Sequence, residues 1–471
     1  MRAGVYFGSC EATKERVSER RSPYSGEVVS FAPSCDADDA KKALLIAKEA
    51  AKEAAKTTLA QRCSWLLDVA QKLREHKEEM AKTITDEVGK PIAFARVEVE
   101  RCIETVTLAA ETMRTMHGET INSDAFASGK KTMAFFKRVP CGVVVAITPF
   151  NFPLNLVAHK IAPALVAGNA VVLKPTPEAP LTAYKFAKLF IESKYAIRDA
   201  LSVVYGDAEV GGTLVASDIP RVISFTGSVG VGEIITKRAG IKKVSLELGG
   251  NAATFVDVSA DLDLAAQRCA LGAFVNSGQV CISLQRIYVH AKVYDAFAAK
   301  MAQESAKLIV GSPYNEDTFM GPLINDEACQ RAMEWVQSAK DEGAVALLEP
   351  KVEGRVFSPC VMANVRPDMA IVCQEVFAPI VSLIKVESFD EACGMMNDSP
   401  YGLQFSLFTN DLTLAMRAID ALDAGGIVVN DMPTLRFDIQ PYGGVKLSGV
   451  GREGPRFAIE EMTEMKSVII C

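Results

Sequence analysis

The chain is predicted to fold as an α/β protein with a Rossmann-like parallel-sheet domain, a second α/β domain and a small β extension. Three observations predict this. Its 471 residues exceed what one hydrophobic core usually supports, so at least two subdomains with a cleft between them are expected. From Gly142 onward, short β-branched runs alternate with amphipathic helical runs, the pattern of right-handed βαβ crossovers. At 49% apolar and 23% charged residues, with no polar low-complexity tract, the composition is globular rather than disordered or fibrous.

The elements begin with helices. Residues 36–118 are dominated by helical periodicity: DADDAKKALLIAKEAAKEAAK opens on Asp, repeats apolar positions at helical spacing, and turns its lysines to solvent. Strands follow as GVVVAI (142–147), AVVLK (170–174), LSVVY (201–205), RVISF (221–225) and KVSLEL (243–248), separated by helical segments such as LNLVAHKIAPALVAG. A parallel sheet built this way opens to a ligand at the C-terminal ends of its strands. After Gly250 a second strand–helix series starts with ATFVDV and runs to about residue 443. The final MTEMKSVIIC reads as an edge strand without an obvious partner, of the kind that pairs with another element or subunit. The expected divisions are 1–118 with 138–249, then 250–443, with 119–137 and 455–471 as oligomerisation strands.

Several classes are excluded. A net charge of −7 with scattered Lys and Arg argues against a nucleic-acid surface. No apolar run approaches the roughly 18 residues needed to span a bilayer, and MRAGVYFGSC lacks the pattern of a cleavable leader, so a soluble, cytoplasmic protein is expected. Twelve cysteines are too sparse for a disulfide scaffold, none forms a CxxC pair, and four histidines offer no metal cluster. Most cysteines should therefore be reduced and buried, and no metal is expected.

Four segments carry chemistry-bearing residues. Cys281 closes Phe-Val-Asn-Ser-Gly-Gln-Val-Cys (274–281). A free cysteine is ordinarily a small buried hydrophobe, but the flexible Asn-Ser-Gly-Gln places this thiol after a helix break, where a backbone amide can approach a reacting oxygen. Glu247 ends KVSLEL beside Gly249 and Gly250, either as a solvated strand-end acid or as a carboxylate at a lobe junction that activates water. Asn151 stands between the prolines of TPFNFP, either as a turn former or as a rigidly held oxyanion donor. FTGSVGVG (225–232) follows a strand and opens a helix, where free amides and the helix dipole bind phosphate, although glycine turns are also ordinary punctuation. His159, at apolar spacing in the next helix, reads as a packing residue.

Taken together, RSPYSGE, TPFNFP, GNAVVLKP, FTGS, LELGGN, GQVC, EVFAPI and PYGGVKLSG occur in an order that resembles the aldehyde dehydrogenase superfamily over nearly the whole chain. The N-D-x-P-T-x-R stretch at 430–436 is most similar to members acting on lactaldehyde, phosphonoacetaldehyde and related short aldehydes. The resemblance implies an oxidoreductase that converts a small aldehyde to its acid with NAD(P). Cys281 would attack the carbonyl, and the Asn151 side chain with the Cys281 amide would hold the oxyanion. Glu247 would activate the water that hydrolyses the thioester. Relatives that pass the acyl group to coenzyme A typically lack this glutamate, so acylation of coenzyme A and non-catalytic nucleotide binding stand as the alternatives.

For the cofactor, the resemblance implies Lys174 at the adenosine ribose, Gly227, Ser228 and Gly232 at the pyrophosphate, and Glu375 and Phe377 at the nicotinamide ribose and ring. Thr148, Pro149, Phe150, Gly211, Leu248 and Gly249 would share that crevice. Pro177 stands where NAD-selective relatives carry a glutamate, with Glu178 one step out of register. Both NAD and NADP stay open, NAD being the favoured of the two. Phe152 and residues 430–436 would line the substrate funnel. Arg436 and Arg114 occupy positions where relatives acting on anionic aldehydes place cations, the other reading of each being a surface or interface ion pair. A homodimer or homotetramer is implied.

Overall fold

The computed structural model describes residues 1–471. Helices Ala37–Ala54, Leu59–Glu75, Lys77–Val88 and Ile92–Thr115 form the first layer. The first begins where Asp36 accepts from the backbone amides of Asp38 and Asp39, while the Asp39 carboxylate reaches back to the Asp36 amide. Its face of Ala40, Ala43, Leu44, Ala47 and Ala51 is buried, and Lys41 and Lys52 pair outward with Asp38 and Glu49.

These helices cover one sheet. Its five central strands are parallel and lie in the spatial order Leu201–Val203, Ala170–Lys174, Val143–Ile147, Val222–Thr226, Lys243–Glu247. Strand order reverses between Val143–Ile147 and Val222–Thr226, the point at which a doubly wound sheet opens a crevice at its strand C-termini. Val5–Phe7 extends one edge and Gly449–Val450 the other, both antiparallel.

A second sheet of seven strands carries Ala252–Val256 and Leu284–His290 at its centre, flanked by Ile380–Val386 and Gln404–Phe408 in parallel register. Buried side chains of both sheets, including Val145 and Phe225 of the first and Phe255 and Phe405 of the second, join in one core. No helix is long and apolar enough to cross a membrane.

The chain's end meets one expectation and departs from another. MTEMKSVIIC has an internal partner: Thr463–Ile470 pairs antiparallel along the whole of Met133–Pro140, and Glu119–Ile121 adds a third strand. Residues 455–461 are helix rather than strand, because Pro455 starts a turn whose Ala458 and Ile459 bury against the interior. The cysteines also divide differently, with Cys10, Cys373 and Cys471 exposed and only half of the twelve buried, although none is paired.

Candidate active site

A crevice of about 890 Å³ lies at the C-terminal ends of the Val143–Ile147 and Val222–Thr226 strands and extends to Cys281. The position of Cys281 follows from a run of left-handed backbone. Helix Leu262–Phe274 ends, and Asn276 (φ 51°), Ser277 (φ 56°) and Gly278 (φ 72°) reverse the chain. Two non-glycine residues in this region cost free energy, so the surroundings must fix them. Ser277 donates to the Gly321 carbonyl (2.8 Å), and Gln279 accepts from the Ile324 amide (2.9 Å). The glycine at 278 is needed because a Cβ there would run into the Ala378 backbone. Likewise, a Cβ on Gly250 would strike the Cys281 carbonyl. The loop thus presents Cys281 half-buried against the crevice, its sulfur 3.0 Å from the Tyr442 hydroxyl.

Asn151 is buried with its Nδ2 donating to the Gln279 carbonyl (3.1 Å) and its Oδ1 accepting from the Phe152 amide (3.1 Å). This points the amide at the loop that carries the thiol. Glu247 ends its strand 3% exposed, and neither carboxyl oxygen has a partner. Burial, and then the neighbouring Glu453, push its pKa well above the usual carboxylate range. Burial also presses on Glu453, but Lys160 (3.0 Å), His159 and Arg436 (3.2 Å) more than offset it and hold that carboxyl down at about 2. Two adjacent carboxyls are therefore split, one pushed up and the other held down. Burial likewise pushes the Cys281 thiol up to about 12, opposed by the Tyr442 hydroxyl and Arg436.

One end of the crevice, where Arg101 and Asn155 line the wall, carries a polar cluster centred on Asp438. Its carboxylate accepts from Arg101 Nε (2.9 Å) and Nη2 (2.7 Å), from His159 Nε2 (2.9 Å) and from Asn155 (3.3 Å). His159 is thus a buried hydrogen-bonded residue rather than simple packing, and burial keeps its pKa low despite Asp438. Arg436 stacks on the Tyr442 ring, its guanidinium carbon 3.6 Å from the centroid, and its Nε is buried without a partner. Phe152 lines the same end beneath Lys90. Arg114 does not reach the crevice: it is exposed in the last turn of its helix, and the arginine that this helix sends inward is Arg101.

The other arm is shaped for a dinucleotide. Thr148, Pro149, Phe150, Lys174, Pro177, Gly211, Gly227, Ser228, Leu248, Gly249, Glu375 and Phe377 all line it. Ser228 starts helix Val229–Ala239 without its side chain closing the free amides, which leaves them for phosphate oxygens. Lys174 is buried, and burial lowers its pKa against the pull of Glu178 and Asp207. Glu375 accepts from the Gly250 amide (3.0 Å), and burial raises its pKa to about 7. Phe377 meets Phe150 edge to face at 5.9 Å. Gly232 is the exception, turned away from the crevice: a Cβ there would lie 2.6 Å from a Leu248 methyl, so the residue permits helix–strand packing.

The profile of the aldehyde dehydrogenase family matches residues 10–468. The chain belongs to the aldehyde dehydrogenase family. It is 44% identical over 469 residues to 3-sulfolactaldehyde dehydrogenase of Priestia megaterium, covering 99% of this chain and 98% of the relative. Aldehyde dehydrogenase 21 of Physcomitrella patens, solved with its reaction product succinate, superposes with a TM-score of 0.97 at 36% identity, covering 100% and 98% of the two chains. The NADP-dependent glyceraldehyde-3-phosphate dehydrogenase of Bacillus halodurans, solved with NADP, gives a TM-score of 0.98 at 32% identity, covering 100% and 99%. This dehydrogenase is an NAD(P)-dependent oxidoreductase acting on the aldehyde group.

Sequence reasoning missed Arg101, Lys160, Tyr442 and Glu453, all within or against the crevice. Tyr442 lies inside the quoted PYGGVKLSG run and was the one with a usable signal. Glu453 arrives only through tertiary pairing of its backbone with Tyr442.

Proposed function

We propose that this aldehyde dehydrogenase oxidises a small aldehyde carrying an anionic tail, such as a sulfonate, carboxylate or phosphate, to the acid. The observation that carries this reading is a pair of buried donors without partners on the crevice wall, Arg436 Nε and Thr434 Oγ1. Around them Arg101, Lys160 and Arg436 face Asp438 and Glu453, so three cations against two anions leave one positive charge in excess. An anionic tail would neutralise that excess and satisfy both donors. The relative named for 3-sulfolactaldehyde and the neighbour holding succinate are of the same substrate class.

Cys281 supplies the sulfur that bonds to the aldehyde carbon, forming a thiohemiacetal. The Asn151 amide and the Cys281 backbone N–H take the oxygen's developing charge. The dinucleotide, when bound, accepts hydride. Lys174, the amides following Ser228, and Glu375 with Phe377 would hold it along the crevice. The resulting Cys281 thioester is hydrolysed by water that gives its proton to the Glu247 carboxylate. Twelve unpaired cysteines support a reducing, cytoplasmic setting. The outward Met133, Met465 and Ile469 of the three-stranded sheet support assembly into a dimer or tetramer through that sheet.

The test is a panel of 3-sulfolactaldehyde, succinic semialdehyde and propanal assayed with wild type and Arg436→Gln. The expected result is a KM raised at least about tenfold for the charged aldehydes, with that for propanal changed less than about threefold. Equal KM shifts across the panel would sink the anionic-tail reading.

A further inference from the structure

Tyr442 has no part in the reaction sequence above, yet its hydroxyl oxygen stands 3.0 Å from the Cys281 sulfur and bonds to nothing else. The residue is 3% exposed and rigidly held. Its amide donates to the Glu453 carbonyl (3.1 Å), and the Glu453 amide donates back to its own carbonyl (2.6 Å). The Glu453 carboxylate in turn anchors Arg436 at 3.2 Å, and Arg436 returns to stack on the Tyr442 ring. Tyr442, Arg436 and Glu453 therefore form a closed ring that leaves the phenol one degree of freedom, rotation of its hydroxyl hydrogen.

We propose that Tyr442 is a further catalytic residue of this dehydrogenase, donating its hydroxyl hydrogen bond to the Cys281 thiolate, with Arg436 behind the ring strengthening the donor. This rests on the reading of Cys281 as nucleophile. A cation against an aromatic face withdraws density from the ring and makes the phenol a better donor, and a charged acceptor roughly doubles such a bond's strength. The thiol proton leaves to water in the crevice, and Tyr442 keeps its own. Burial, and then the neighbouring thiol, hold the phenol well above its ordinary pKa, so it acts as donor and not as base.

The charged and titratable groups facing this pair come from four segments. Arg436 and Tyr442 favour the thiolate, whereas Glu375 and Glu247 oppose it. Glu375 lies against Gly249 and accepts from the Gly250 amide, and Glu247 ends the strand just before them. With burial already pushing the thiol up to about 12, the phenol is the nearest group that lowers it. A phenylalanine here would keep the ring and its stacking on Arg436 while removing the donor.

The experiment follows the rate of Cys281 alkylation by iodoacetamide against pH, read on the Cys281 peptide by mass spectrometry so that exposed Cys10, Cys373 and Cys471 do not interfere. Tyr442→Phe should move the alkylation profile to higher pH and slow the reaction about tenfold near neutrality, with kcat/KM falling in parallel. Replacing the Tyr442 ring by 3-fluorotyrosine, a stronger donor of nearly the same size, should move the profile the other way, and decides the matter if the phenylalanine variant fails to fold. Unchanged profiles would overturn the role of Tyr442. Aldehyde oxidation by Cys281→Ala would overturn the nucleophile reading instead, so the two failures are distinct.

Discussion

Glu247→Gln should separate the two halves of the reaction. The carboxyl is buried, both oxygens lack partners, and its pKa is raised well above the usual range by burial and then by Glu453, so glutamine matches the shape and charge of its resting form. No hydrogen bond is lost, and binding and oxidation should proceed. Hydrolysis should not, because the other carboxyls near the thiol are engaged: Glu375 by the Gly250 amide, Glu453 by Lys160 and Arg436. A positioned general base contributes about 10²–10⁴ in rate, so without a substitute the loss should be at least about 100-fold, or about 3 kcal/mol. Rapid mixing of enzyme, aldehyde and NADP should show a burst of reduced cofactor near one per site, followed by a steady phase slowed by that factor. Wild-type turnover should climb as pH rises above the usual carboxylate range, because a base whose pKa is raised must first lose its proton, and the variant should lose that limb. A steady rate within tenfold of wild type would refute the argument by showing that another base serves. Loss of the burst would place Glu247 before hydride departure.

Asp438→Asn should destabilise the protein by about 3 kcal/mol at pH 7 in urea unfolding, since it strips Arg101 and His159 of their shared partner. Although burial pushes the Asp438 carboxyl up, His159 and Arg101 hold it below the unfolded value, so this stability is present above about pH 4 and lost as pH falls further. The gap between wild type and variant should narrow in that direction. Glu178→Gln should lower the KM for NADP more than that for NAD, because it removes the carboxylate whose charge bears on Lys174 at the crevice wall; equal changes would place the 2′-position elsewhere. Gly232→Ala should cost about 1–3 kcal/mol in thermal or urea unfolding through overpacking against Leu248. An unchanged midpoint would show that the Leu248 side chain moves aside freely.

What was legible in the sequence was whatever local pattern decides. The parallel strands, the helix break before Cys281 and the glycine turn at Gly227 are each set by residues within about ten positions, and their bounds fall within two residues of expectation. Arg114 shows where this ends. Arg101 and Arg114 share one helix, but thirteen residues turn it by about 220°, so they leave on nearly opposite faces, and only the packing of that helix tells which faces the crevice. Gly232 sits in a run whose glycines look alike, yet one meets Leu248 and another faces the ligand space. Tyr442 and Glu453 were hidden because what brings them to Glu247 is the antiparallel pairing of Gly449–Val450 with the Glu247 strand, a contact across some two hundred residues.

That pairing also sets a clock. On the ribosome, Cys281 is made 172 residues before Glu453 and so stands without Tyr442, Arg436 and Glu453 for about 10–35 seconds at ordinary elongation rates. The nascent thiol therefore lacks both these neighbours and the burial that later pushes it up to about 12. Completion of the first sheet's last edge is the step that brings the Tyr442 hydroxyl against the sulfur and closes this wall of the crevice.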